Sequence, residues 1–103
     1  MILYTTWPDA ETAQAFGRAA VEAKLAACAN LLSPMVSIYR WQGAIEQASE
    51  TPMLLKTTAA AAGRLRDMVL ARHPYETPCV MALAVQETGS NPAFLQWIGE
   101  EIA

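Results

Sequence analysis

Six consecutive residues, His73-Pro74-Tyr75-Glu76-Thr77-Pro78, gather the only histidine of the chain, a phenol and a carboxylate around two prolines. An imidazole is both a metal ligand and a general acid or base near neutral pH, so this polar clamp is the first place to look for chemistry. Each proline fixes its own φ and pushes the residue before it, here His73 and Thr77, out of the helical region. The segment is therefore expected to run extended. Side chains alternate along an extended chain, which points His73 and Tyr75 one way and Glu76 the other. No catalytic triad is implied. The plain structural alternative is that a helix stops at Pro74 and the polar side chains are solvated.

Other candidate chemistry is thinner. Cys28 and Cys79 are too few and too far apart for a disulfide framework or a zinc site, and reduced, buried strand residues are the expectation for both. Met35, Met53, Met68 and Met81 are too scattered for a methionine copper site, and Trp7 and Trp97 read as packing residues. The chain has no glycine-rich phosphate loop, no Gly-x-Ser-x-Gly elbow and no His-Glu-x-x-His helix. These absences lower the expectation of an enzyme.

Composition bounds the partners. A chain of 103 residues, 53% of them hydrophobic, is a single domain over residues 1–103 with apolar surface to spare for an oligomer. The net charge of −3 argues against nucleic acid, because Arg64, Arg66 and Arg72 alone make a thin basic face. The longest uncharged run, Leu25 to Tyr39, is broken by Asn30, Ser33 and Pro34 and falls short of the ~20 residues of a membrane helix. No signal-like leader precedes it, and a cytoplasmic, membrane-free protein is the expectation.

The elements that must position the clamp follow from hydrophobic period and punctuation. Met1 to Trp7 is a short β-rich run stopped by Pro8; Asp9 then caps a helix with Ala13, Phe16, Ala20 and Ala23 at helical spacing. Ala27 to Trp41 reads as a strand with a kink or bulge at Pro34. Gln42-Gly43 supplies a tight turn, and Ala44 to Thr58 returns. Thr58 caps a second helix whose Ala61, Leu65, Met68 and Arg72 share a face, and Pro74 ends it. Cys79 to Gln86 is a fourth strand, and Asn91-Pro92 opens a last helix with Leu95, Ile98 and Ile102 on one side.

This order predicts an α+β fold: a ferredoxin-like βαββαβ sandwich with a long hairpin between its second and third strands and an extra C-terminal helix. The hairpin arms, about fifteen residues each at ~3.3 Å, reach roughly 50 Å against ~20 Å for a typical strand, so the tip must project. Its aromatic and aliphatic groups, Ile38, Tyr39, Trp41 and Ile45, and its open edges then call for pairing with another subunit. A two-residue turn sets Tyr39 opposite Glu46 and Trp41 opposite Ala44, which puts Tyr39, Trp41 and Glu46 on one face. These residues either line a cleft between subunits or form a packed interface in which Glu46 meets a cation such as Arg40 or Lys56. Lys56 has the same two readings: it receives an anion or carboxylate in the cleft, or it snorkels out of the core edge.

Four blocks in order carry a resemblance: Lys24-Leu25-Ala26-Ala27-Cys28-Ala29-Asn30, Ser37-Ile38-Tyr39-Arg40-Trp41-Gln42-Gly43, Leu55-Lys56-Thr57-Thr58 and the clamp at residues 73–78, followed by the helix from Asn91 to Ile98. Together they resemble the CutA family of divalent-cation tolerance proteins. The resemblance implies a homotrimer with interlocking hairpins, similar in architecture to the PII signalling proteins, and a link to copper and the response to metal ions. The family's copper ligands, a cysteine in the first strand and two histidines before the Pro-Tyr, fall on Thr5, Arg72 and His73. Only His73 is retained, so the implied copper or divalent-cation binding is weak, and no metal is required for folding. The function expected is a non-enzymatic trimer holding a metal ion or small anion in a cleft near Tyr39, Trp41, Glu46, Lys56, His73, Tyr75 and Glu76. The alternative is a small-molecule enzyme with His73 as general acid or base and Lys56 stabilising negative charge.

Overall fold

Each helix starts where the sequence supplies a capping oxygen. In the computed structural model, which describes residues 1–103, the Asp9 carboxylate accepts the Thr12 N–H at 2.7 Å, the Thr58 hydroxyl accepts that of Ala61, and the Asn91 amide oxygen accepts that of Ala93. These caps open α1 (Ala10–Glu22), α2 (Ala59–Arg72) and α3 (Pro92–Glu101). The strands are β1 (Ile2–Trp7), β2 (Cys28–Leu31), β3 (Met35–Trp41), β4 (Ala44–Lys56) and β5 (Val80–Leu83).

The strand order is β2-β4-β1-β5, with every pairing antiparallel and β3 paired to the outer half of β4. This is the ferredoxin-like layout expected from the element order, with two revisions. The first hairpin arm is split into β2 and β3. Leu31 faces Met53 and Met35 faces Glu50, so the segment Leu32–Pro34 opposes only Thr51 and Pro52. The extra residue is a bulge at the proline, which has no N–H to give the ladder. The fourth strand is also shorter than Cys79–Gln86, closing at Leu83.

β1 and β4 send alternate side chains to opposite faces. Leu3, Thr5 and Trp7 of β1 and Met53 and Leu55 of β4 point inward against Ala13, Phe16 and Ala20 of α1 and Leu65 and Val69 of α2, and all are buried. Small residues let the helix approach. A Cβ on Gly17 would sit 3.0 Å from both the Ala29 Cβ and the Met53 Sδ, so glycine here sets the closeness of α1 to the sheet. The inward face of α2 runs Ala61, Leu65, Val69 rather than on to Arg72, which is exposed, and Ala23 is the exposed C-cap of α1. Trp7 is fully packed, stacked on Phe16 at 4.9 Å, but Trp97 is 38% exposed. Ile98 alone of α3 is buried, with Leu95 and Ile102 half-covered.

The opposite face of the sheet, turned away from α1 and α2, carries Tyr4, Leu54, Met81 and Leu83, of which Met81 and Leu83 are exposed. Beyond Thr51, β4 runs on with β3 as a two-stranded ribbon, each strand with one unpaired edge. Gln42 and Gly43, at φ 50° and 82°, make the two-residue turn at its tip. The thirteen residues of β4 span about 43 Å at ~3.3 Å each. That length accounts for the 45 Å long axis of the molecule. Both cysteines are free, Cys28 on edge strand β2 and Cys79 just before edge strand β5.

Candidate functional site

Pro74 ends α2 as expected: His73 is extended, at φ −70° and ψ 138°. The next residues, Pro74 to Thr77, bend instead of continuing straight. The bend is tied by the imidazole. Its Nδ1 accepts the Tyr75 backbone N–H at 3.0 Å, and its Nε2 lies 2.8 Å from the Thr6 carbonyl oxygen. Because Nδ1 is an acceptor, the hydrogen sits on Nε2, which donates to Thr6. The ring is buried and packs between Trp7, at 4.3 Å, and Tyr75, at 4.9 Å.

This arrangement revises the expectation placed on His73. With one nitrogen protonated and the other lone pair engaged by a backbone N–H, the imidazole offers no free donor to copper and no free position for acid–base work. It fastens the bend to β1. Nor do the two positions that accompany it in the family's copper set converge on it. Thr5 is buried, donating to the Met53 carbonyl oxygen at 2.9 Å and accepting the Trp7 indole N–H at 2.8 Å, and Arg72 is exposed. No cluster of three or more His, Cys, Asp or Glu side chains with metal-binding geometry occurs in the chain.

What the bend does create is a cavity. A 410 Å³ space lies between one face of the hairpin ribbon and residues 75–79, lined by Thr6, Tyr39, Trp41, Ala48, Glu50, Tyr75, Glu76, Thr77 and Cys79. Tyr39, Trp41, Ala48 and Glu50 reach it because the register, Tyr39 opposite Glu46 and Trp41 opposite Ala44, puts alternate residues of both strands on one face. The expected pairings thus hold, and four of the expected cleft residues, Tyr39, Trp41, Tyr75 and Glu76, meet in one wall. Glu76 joins Tyr75 there because the chain bends between the prolines.

Besides His73, two expected residues do not. Glu46 shares the ribbon face but lies outside the cavity wall. Lys56 sits at the far end of β4, in a separate 330 Å³ hollow with Ile2, Phe94 and Ile98, its Nζ 5.3 Å from the centre of the Phe94 ring. Glu50, Thr6 and Cys79 were not anticipated. Glu50 alone had a signal, since it lies two pleats from Glu46 on the same strand face.

The cavity is electronegative. Burial first, then the Glu50 carboxylate, then Tyr39 and Asp9, push the Tyr75 phenol above its ordinary value. Burial likewise pushes the Cys79 thiol up, opposed by a hydrogen bond to Thr6 and helped by Glu50. Such a thiol is a poor nucleophile, and the wall holds no histidine or lysine to activate it. The geometry suits binding.

Comparison with known proteins gives a consistent picture. A family model described as CutA1 divalent ion tolerance protein matches residues 1–101. A Thermus thermophilus relative, the divalent-cation tolerance protein CutA, is 39% identical over 96% of this chain and 94% of its own. A mouse relative, protein CutA, is 41% identical over 92% of this chain, which spans about half, 52%, of the mouse protein. Among solved structures, the Archaeoglobus fulgidus protein described as a periplasmic divalent cation tolerance protein CutA superposes with a TM-score of 0.93 at 37% identity, over 99% of this chain and 97% of its own.

Proposed function

Because the chain belongs to the CutA1 divalent ion tolerance family, we propose that it serves the response to divalent cations, copper among them, as a non-enzymatic homotrimer that binds a small ligand beside its hairpins. The observation that carries this reading is the ribbon itself. Val36, Ile38 and Ile45 on one of its faces are 64–69% exposed, Tyr39 and Trp41 on the other are 43% and 52% exposed, and each strand has an unpaired edge. An isolated two-stranded ribbon is marginal in water, so the face with Val36, Ile38 and Ile45 and the unpaired edges fit burial against further copies of the chain. Three copies is the number that the resemblance noted in the sequence implies. The cavity against the ribbon's face would then lie beside a subunit boundary.

Direct copper binding is expected to be weak, since the buried His73 would have to give up the hydrogen bond at whichever nitrogen ligates it and no second soft ligand stands beside it. Folding needs no metal in this reading. Two free thiols suit a reducing compartment, and we place the protein in the cytoplasm; no helix is long and apolar enough to cross a membrane. The test is complementation of a copper-sensitive strain lacking the endogenous gene. The wild-type chain should restore growth in elevated copper and the Ile38→Asp, Ile45→Asp double variant should not. Full rescue by a double variant shown to be monomeric would overturn the assembly-dependent role.

A further inference from the structure

The cavity against the ribbon face has a wall chemistry that selects its ligand. Three aromatic side chains, Tyr39, Trp41 and Tyr75, and two carboxylates, Glu50 and Glu76, face a 410 Å³ space whose lining contains no lysine, arginine or histidine. Neither carboxylate has an ion-pair partner: the only salt bridge in the chain joins Arg66 and Asp67. Glu50 is half-buried at the foot of the ribbon, and a cationic guest would supply the ion-pair partner it lacks. An anion would meet repulsion.

A bare divalent ion is also a poor fit. Hard cations take six or more oxygens and soft ones ask for imidazole and thiolate. This wall offers two carboxylates without metal-cluster geometry and a thiol held protonated by burial. Aromatic faces with separated carboxylates instead match a cation whose charge is spread over an organic body. The rings attract it through their quadrupoles, best of all the indole, while carboxylates accept its N–H groups. The volume lies within the range of small-molecule sites and takes a ligand of several heavy atoms.

We propose that this cavity binds a small organic cation bearing N–H donors, an alkylammonium or alkylguanidinium, held by Trp41, Tyr39 and Tyr75 with Glu50 as its principal charge partner. The assignment names the ligand class of the site proposed above and rests on that reading. It also alters its sense, because the occupant is an organic monocation in place of the metal ion or anion expected from sequence. The raised Tyr75 phenol is consistent with this wall: burial is the larger cause and the Glu50 carboxylate the next.

The test is calorimetric titration of the intact wild-type protein with n-butylammonium and n-butylguanidinium chlorides, with n-butanol, butyrate and copper(II) chloride as comparison probes. The two cations should bind saturably while n-butanol and butyrate do not. Trp41→Leu should weaken the cations by roughly three- to tenfold and Glu50→Gln by about tenfold. Light scattering on the same samples separates this proposal from the oligomeric one. Absence of cation binding by an intact oligomer, equal binding of n-butanol or butyrate, or cation affinities unchanged in both variants would overturn it while leaving the assembly reading in place. Loss of the oligomer in Glu50→Gln together with no cation binding by the wild type would also overturn it, by showing that a basic side chain of a second copy already fills the cavity.

Discussion

One strand, β4, belongs to two different molecules in the physical sense. From Met53 to Lys56 it is paired on both sides, Thr51 and Pro52 pair with β1 and face the Leu32–Pro34 bulge, and Thr51, Pro52, Met53 and Leu55 are buried; from Ala44 to Glu50 it is paired on one side only and none of its residues is buried. The body half is satisfied by its own chain. The ribbon half has one large apolar residue, Ile45, opposite Arg40 and diagonal to Ile38 on the same face, with nothing of this chain to cover it. Burial in the first half stabilises the fold, and exposure in the second leaves the surface that the proposed assembly would cover and forms one wall of the cavity.

The comparison breaks most sharply at matched substitutions. Met53→Ala, at a site with no exposure, should lower the free energy of unfolding by about 2–5 kcal/mol in denaturant titration at fixed protein concentration. Ile38→Ala, at a position 69% exposed, should leave the secondary structure intact and act through association. Equal losses in secondary structure for the two variants would contradict the division.

His73→Ala tests the bend fastened to β1. It strips partners from the Thr6 carbonyl and the Tyr75 N–H, at about 1–3 kcal/mol for each group left without one, and removes packing on Trp7. Thermal unfolding should therefore drop clearly, whereas a free, solvent-facing metal ligand would be lost at little cost to stability. Thr58→Ala, confined to the body, should cost about 1 kcal/mol through loss of the α2 cap and leave association unchanged.

The smallest effect is electrostatic. The folded state raises the Tyr75 phenol, so its neutral form is favoured; the stability this contributes is complete below the unfolded-state value near ~10 and is lost as pH rises through the higher folded value. Phenolate absorbance should show a component titrating later in the native than in the denatured protein, absent in Tyr75→Phe and moved to lower pH in Glu50→Gln.

Much of this was legible in the chain because the signals are local. The caps at Asp9, Thr58 and Asn91, the two-residue turn at Gln42-Gly43 with the register it imposes, and the bulge at Pro34 each depend on a few neighbouring residues. The site was legible only in part, because its assembly depends on long-range geometry. Lys56 and Glu46 look like neighbours across a cleft but lie ten residues apart on one straight strand, roughly 33 Å at ~3.3 Å each. Thr6 and Cys79 reach the cavity through the pairing of β1 and the bend after His73, neither of which leaves a periodic mark. The role of His73 was hidden for the same reason: its partner is a carbonyl oxygen sixty-seven residues away.

The claim that the ribbon is unfinished within one chain is tested most directly by multi-angle light scattering of the wild-type protein through serial dilution in the micromolar range. The wild-type protein should run as a single species of about three times the 11.2 kDa chain mass that persists on dilution until it unfolds. A monodisperse, folded species of 11.2 kDa would contradict it.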